Sequence, residues 1–220
     1  MADRSIIPLF RPDFRDAEIE AVAGVMRSGW IGLGPKVEEF EEKFAEYVGA
    51  QYAVAVNSCT AALHLTLLAY GIGEGDEVLV PAITFVSTAH AVEYVGATPV
   101  FVDVWSDMLF MNVRDASRKI TKKTKAIIPM HYGGHPCTMD LFACITEDGG
   151  RDIKLIDDAA HACGAKVGDR SVGVLGDATC FSFHAVKNLA TADGGMITTN
   201  DKELALKLRR LRWCGIDKDT

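Results

Sequence analysis

The sequence predicts an α/β fold, a mostly parallel sheet sandwiched between helices. Two observations carry that expectation. From Tyr52 onward, short apolar runs alternate with stretches of helical periodicity, the mark of strand–helix–strand units. Length and composition agree with it. A chain of 220 residues, 49% hydrophobic and 24% charged, has enough apolar surface for a sizeable core and does not read as disordered.

Each element has its own warrant. Ala17–Arg27 carries apolar residues at helical spacing, and Ser28-Gly29 punctuates its end. A glycine-rich stretch, GWIGLGP, closes on Pro35 and leads into Lys36–Val48. There Val37, Phe40, Phe44, Tyr47 and Val48 form one stripe, with Gly49 as the stop. The expected strands are Tyr52–Val56, Glu77–Val80, Thr98–Val102, Lys125–Pro129, Lys154–Ile156, Ala178–Phe183 and Met196–Thr199. Between and after them, helices are expected at Thr60–Tyr70, Thr84–Val95, Asn112–Lys119, Met139–Thr146 and Asp201–Arg212. Polar turns at Gly73–Asp76 and Glu147–Asp152 separate units, and no Pro-, Gly- or Ser-rich linker divides the chain.

Composition also excludes some functions. A net charge of −7 offers no electrostatic footprint for nucleic acid. No apolar run approaches the roughly 20 residues that span a bilayer, so no membrane partner is expected. The N-terminal stretch MADRSIIPLFRPDF has no apolar h-region, unlike a secretory signal. Six cysteines stand without a CxxC pair. Free thiols in a reducing, cytoplasmic setting are therefore expected, most of them buried as small hydrophobes, with no metal site.

Ligands of open α/β sheets sit beyond the carboxyl ends of the strands, which directs attention to four places. After Tyr52–Val56, Asn57-Ser58-Cys59-Thr60 runs straight into a helix. A helix N-terminus binds anions, and it is equally served by a simple Ser58 or Thr60 cap. After Lys154–Ile156 come Asp157-Asp158-Ala159-Ala160-His161. Two adjacent carboxylates are not expected to face the core together; one should be solvated while the other enters a cleft, or both mark a solvated strand end. His161 reads as functional or as a satisfied helix-face histidine. Lys187 sits among apolar and small residues shortly before a Gly-Gly pair. It is either a desolvated amine nucleophile or a lysine reaching solvent. Phe85 follows Glu77–Val80 and places a ring at the same edge, or in the core. Taken together, an anion cradle, an aromatic plate, a carboxylate and an amine suit a flat phosphorylated aldehyde with a basic ring nitrogen, as in pyridoxal phosphate.

Six blocks in order then carry a resemblance over nearly the whole chain: GWIGLGPKVEEFEEKFAEYVG, NSCTAALHL, VLVPAITFVSTAHAVEYVGATPVFVDV, PMHYGG, LIDDAAHACGA and GDATCFSFHAVKNLATADGGMITTN. They resemble the DegT/DnrJ/EryC1/StrS sugar aminotransferases, a branch of the aspartate-aminotransferase (fold type I) pyridoxal-phosphate enzymes. The resemblance implies that residues 1–220 are the large, cofactor-carrying domain, with the family's small C-terminal domain outside this sequence. It implies an amino transfer from a donor, usually glutamate, to a keto sugar carried on a nucleotide, in a homodimer.

By position, Lys187 matches the family's Schiff-base lysine and Asp158 the aspartate on the pyridine nitrogen. His161 falls near the cofactor's phenolic oxygen, Ser182 at its phosphate, and Phe85 over the ring. Cys59 and Thr60 match a Gly-Thr pair whose amides cradle the phosphate, and Gly29–Pro35 walls the substrate pocket. Two departures stand out. Asp193 replaces a common Glu, and Cys59 replaces glycine, which is expected to narrow the phosphate approach and strain the backbone. Lys187 opposes the family's dehydratase branch, which carries histidine there. The absence of GxGxxG after the first strand opposes a nicotinamide fold. A cyclitol aminotransferase and a catalytically silent scaffold share the same motifs.

Overall fold

The computed structural model describes residues 10–147 and 152–217. Helix α1 (Asp16–Ser28) and helix α2 (Pro35–Val48) precede strand β1 (Tyr52–Val56), helix α3 (Cys59–Ala69) and strand β2 (Glu77–Pro81). Then follow α4 (Ser87–Tyr94), β3 (Thr98–Val102), α5 (Val113–Lys119), β4 (Thr124–Ile127), α6 (Met139–Glu147) and β5 (Lys154–Asp158). A small hairpin of β6 (Lys166–Val167) and β7 (Arg170–Ser171) leads to β8 (Ala178–Ser182), β9 (Gly195–Thr199) and α7 (Lys202–Arg212).

Seven strands form one sheet in the order β1-β9-β8-β5-β4-β2-β3. All neighbours pair in parallel except β9, which runs antiparallel to both β1 and β8. The carboxyl ends of the other six strands therefore share one edge. Period-two alternation splits the side chains between two faces. Val54, Val80, Ile156, Cys180 and Ile197 pack with Leu63, Leu67, Val92 and Leu208 from α3, α4 and α7. On the opposite face, Leu79, Ile127 and Leu155 meet Ala116 and Phe142, while Phe181 and Met196 meet Phe44 and Val48. Both faces are covered, which is why these strands read as continuous apolar runs.

Helix ends follow local chemistry. Asn112 and Asp201 accept backbone N–H bonds as N-caps of α5 and α7, and Pro35 opens α2, which ends on left-handed Gly49. Helix α1 contributes no buried residue, and its Ile19, Val22 and Met26 are exposed.

Several expectations need correction. Helix α4 begins at Ser87, not Thr84, because the Thr84 hydroxyl is engaged with Thr88 and Met130 in the turn before it. Strand β5 runs on to Asp158, and Asp157 is not solvated: it is fully buried on the face opposite Asp158. Three cysteines, Cys59, Cys137 and Cys180, are buried rather than most of the six, and all are unpaired. The β6–β7 hairpin, with only two residues per strand, left no periodicity to read. Residues 148–151 of the expected Glu147–Asp152 turn, the N-terminal residues 1–9 and the last three residues lie outside the described residues. Among the described residues, no helix is long and apolar enough to cross a membrane.

Candidate functional site

The shared carboxyl edge gathers most of the residues singled out above. Strand β1 ends two residues before α3, and Ser58 caps that helix, its Oγ accepting the Ala61 N–H at 3.1 Å. Cys59 and Thr60 form the first turn, where helix amides have no intrahelical acceptor. Close approach makes this possible. Gly195, the first residue of β9, pairs with both Val56 and Ser182. A Cβ on it would lie 2.5 Å from the Ser58 carbonyl carbon and oxygen and 2.8 Å from the Cys59 nitrogen. Only glycine lets the α3 N-terminus rest directly on β9.

Cys59 does not strain the backbone, contrary to expectation. It sits in regular helix, and the positive-φ non-glycine residues are Leu109, Ala192 and Cys214. Its thiol points inward, 3.5 Å from the Cys180 carbonyl oxygen and 4.0 Å from Asp158 Oδ1, rather than across the amides. Burial pushes this thiol well up from its usual range, Asp158 and Cys180 add to the effect, and Lys187 opposes it.

Asp158 is 2% exposed at the end of β5. Oδ2 accepts the Thr88 hydroxyl at 2.7 Å and Oδ1 accepts the Ala160 N–H at 3.1 Å. Among the described residues, no lysine or arginine forms an ion pair with it. Burial consequently raises its pKa from the ordinary carboxylate value, against the two hydrogen bonds and the more distant His161 and His131. A buried carboxylate in that position favours a cationic N–H partner.

His161 is half-buried in the turn after β5. Its Nδ1 accepts the Gly133 N–H at 3.3 Å, and its ring meets Tyr132 edge-on at 6.0 Å. Burial first and Lys187 second push its pKa down, while Asp158 pulls it up. Lys187 lies half-buried in the connection between β8 and β9. That connection is folded back on itself by Phe183 N–H to Gly194 O, Thr191 N–H to Phe183 O and Lys187 N–H to His184 O, each 2.8 Å. The Lys187 charge lowers the pKa of both the Cys59 thiol and the His161 ring. Ser182, 7% exposed, ends β8 beside Gly195, its Oγ accepting the His184 N–H at 3.4 Å.

Phe85 is not a core residue. It is 67% exposed in the turn before α4, where its carbonyl accepts the Thr88 N–H. In the Gly29–Pro35 stretch, Trp30 and Ile31 are also exposed. A separate groove between α2 and α7, lined by Glu41, Arg209 and Arg212, reaches Leu33 and Gly34 of that stretch but not Asp158, His161 or Lys187.

Sequence reasoning missed Thr88, Gly195, Gly133 and the buried pair of Asp157 and His131. Thr84 and Thr88, four apart at a helix start, were the available hint for the first. The others lay within stretches already singled out, His131 and Gly133 in PMHYGG, Asp157 beside Asp158 and Gly195 in the Gly-Gly pair, but their roles depend on which strands become neighbours.

The residues present fit pyridoxal phosphate on this structure's own terms. The buried, cation-free carboxylate suits the ring nitrogen, and the helix N-terminus seated on Gly195 suits the phosphate. An amine acting on the same centre suits the aldehyde.

Comparison with known proteins agrees. The profile of the DegT/DnrJ/EryC1/StrS aminotransferase family matches residues 12–220. Spore coat polysaccharide biosynthesis protein SpsC of Bacillus subtilis is 47% identical over 212 residues, covering 96% of this chain and 54% of that protein. The PLP-form structure of the putative sugar aminotransferase Spr1654 from Streptococcus pneumoniae superposes with a TM-score of 0.88 at 37% identity. It covers 93% of this chain and 57% of that one. DesI, solved in the presence of its TDP-sugar product, gives a TM-score of 0.87 at 37% identity over 95% of this chain and 53% of its own. The chain spans little more than half the length of the curated relatives it matches.

Proposed function

The chain belongs to the DegT/DnrJ/EryC1/StrS aminotransferase family, and from that premise we propose that it is the cofactor-carrying large domain of a pyridoxal-phosphate-dependent sugar aminotransferase. The reaction moves an amino group, from glutamate, to the carbonyl of a keto sugar linked to a nucleotide, and the working unit is a homodimer. Support for the sugar comes from SpsC, named for polysaccharide biosynthesis, and from DesI with its TDP-sugar product.

The observation that carries the reading is Asp158: a carboxylate 2% exposed, held by a hydroxyl and an amide, with no lysine or arginine paired to it among the described residues. Bound there, pyridoxal phosphate supplies an electron sink for the carbanion formed at the donor's α-carbon. Asp158 holds the proton on the ring nitrogen. Ser182 and the amides of Cys59 and Thr60 bind the phosphate. Phe85, exposed and unburdened by core packing, would cover the ring. His161, its Nδ1 already occupied by the Gly133 N–H, would have Nε2–H free to donate to the phenolic oxygen. The Lys187 amine would hold the aldehyde and, when free, would take the donor's α-proton at Nζ.

Borohydride trapping tests this reading. After incubation with pyridoxal phosphate and reduction, the cofactor's mass should appear on the peptide containing Lys187 and be absent in Lys187→Ala. Prior addition of glutamate should convert the cofactor to pyridoxamine phosphate and reduce the trapped fraction. Folded wild-type protein that traps no cofactor would overturn the reading and favour a scaffold.

A further inference from the structure

A segment that the roles above leave unused is stitched to the Asp158–His161 stretch at several points. Residues 130–137 follow β4 and pass along the carboxyl end of β5. Asp158 N–H donates to Pro129 O at 2.9 Å, and His131 N–H donates to Asp158 O at 3.0 Å. Two residues on, Gly133 N–H donates to His161 Nδ1. Gly134, with φ of +85°, packs so that a Cβ would sit 3.0 Å from His161 O. One short loop thus fixes the main chain at Asp158 and the ring at His161.

The loop is itself held by His131. This side chain is fully buried, and its Nδ1 accepts the Cys137 N–H at 3.0 Å, closing the loop on itself. A nitrogen that accepts carries no proton, so the ring proton resides on Nε2. Nε2 faces Asp157 Oδ2 at 3.7 Å, beyond hydrogen-bond range. Asp157 is fully buried on the back of β5, and its Oδ2 accepts the Thr179 hydroxyl at 3.0 Å. Among the described residues, His131 Nε2 and Asp157 Oδ1 have no hydrogen-bond partner. So loosely bonded a polar pair adds little to stability, and its value lies in orientation.

We propose that His131 is a positioning residue: by accepting the Cys137 N–H while lying against Asp157, it locks the 131–137 loop so that Asp158 keeps its direction and His161 keeps its proton on Nε2. This inference rests on the functional reading of Asp158 and His161 given above. It reaches beyond it to a side chain on the far face of the sheet, which touches neither cofactor nor substrate.

Two measurements test it on the 220-residue chain. Ring nitrogen-15 NMR of the wild type should show both His131 and His161 protonated at Nε2. Either ring found protonated at Nδ1 instead overturns the proposal. Equilibrium dialysis with pyridoxamine phosphate, which forms no bond to Lys187, reads the orientation of the ring contacts. His131→Phe should weaken binding roughly tenfold, the scale of one supporting hydrogen bond, and mix the His161 tautomers. His131→Asn, whose side-chain oxygen can take over from Nδ1, should restore most of the binding and the His161 pattern; this variant and the wild-type spectrum decide the matter if His131→Phe does not fold. Wild-type affinity in His131→Phe, beside weakened binding in Asp158→Asn, would overturn the positioning role alone. Wild-type affinity in Asp158→Asn as well would overturn the site reading and this inference with it.

Discussion

The Thr88 hydroxyl donates to Asp158 Oδ2 at 2.7 Å, so the start of α4 reaches under the end of β5 to hold a carboxylate that no lysine or arginine among the described residues pairs with. Thr88 in turn lies 2.6 Å from the Thr84 hydroxyl, which donates to it because the single Thr88 proton is given to Asp158. In Asp158→Asn this relay can reverse, the new amide donating to Thr88 and Thr88 donating to Thr84. The substitution should therefore fold well while weakening the hold on the cofactor.

A pH-dependent stability difference follows. Burial raises the Asp158 pKa, so the cofactor-free fold prefers the protonated acid. The stability this contributes is present below the ordinary carboxylate range and is lost as pH rises through the raised value. Asp158→Asn, which has no proton to lose, should gain on the wild type as pH rises. Thermal melts without cofactor should show the variant about 2–4 °C higher at pH 8 for each kcal/mol recovered, and a smaller gap at pH 4. A variant that melts lower at pH 8 would contradict this account.

Gly195→Ala and Gly24→Ala should have opposite signs. The first drives a Cβ into the Ser58 carbonyl at 2.5 Å, backbone against backbone, and should cost about 1–3 kcal/mol as overpacking. The second lies within α1 with nothing within 4 Å of the added methyl and should gain up to about 1 kcal/mol from helix propensity. Urea denaturation of the two variants against wild type measures both.

Glu41 and Arg212 close the outer edge of the sheet. Glu41, 4% exposed, accepts the Ala55 N–H at 2.8 Å, and Arg212 donates both to Glu41 and to Ala55 O at 3.0 Å. Strand β1 is the edge strand, and a side-chain pair from α2 and α7 takes the place of a further neighbour. Glu41→Ala should destabilise the fold by about 1–3 kcal/mol because it leaves the Ala55 N–H unpaired and removes the carboxylate from a part-buried guanidinium. Glu41→Gln keeps the acceptor and should cost less. Chemical denaturation separates the two.

His161 should titrate below the ordinary histidine range, since burial and then Lys187 disfavour its charged form. The stability tied to this neutral ring is present above the ordinary value and is lost as pH falls through the lowered one. Proton NMR of the ring should place the midpoint below about 6.5, and Lys187→Met should move it upward. An unchanged midpoint in that variant would mean the amine lies elsewhere.

Local patterns sufficed for most of the architecture. Thr98–Val102 and Tyr52–Val56 are strands with the expected bounds, because apolar runs between turn residues carry their own signal. The start of α4 was not legible: Thr84 and Phe85 suit a helix, and only the contact of Thr84 with Met130, distant in sequence, shows why the turn persists. The same limit applies to Asp157, whose burial depends on Thr179 from β8 and His131 from beyond β4. Lys187, Asp158 and His161 stood out singly, while the glycine that seats α3 on β9 acquired meaning only once the strand order was known.

The reversal of β9 has a consequence for the chain segment that carries Lys187. Had β9 run parallel to β8, residues 183–194 would have had to travel the length of the sheet, as the other connections do. Because it runs antiparallel, Ser182 and Gly195 face each other as partners, and the segment leaves and re-enters at the same rim. The amine is thus borne on a locally closed loop rather than a crossover. Its internal hydrogen bonds join residues close in sequence and form at low entropic cost, while Asn188 Nδ2 donating to Cys163 O and Phe183 packing on Phe40 and Phe44 tie the segment to the turn after β5 and to α2.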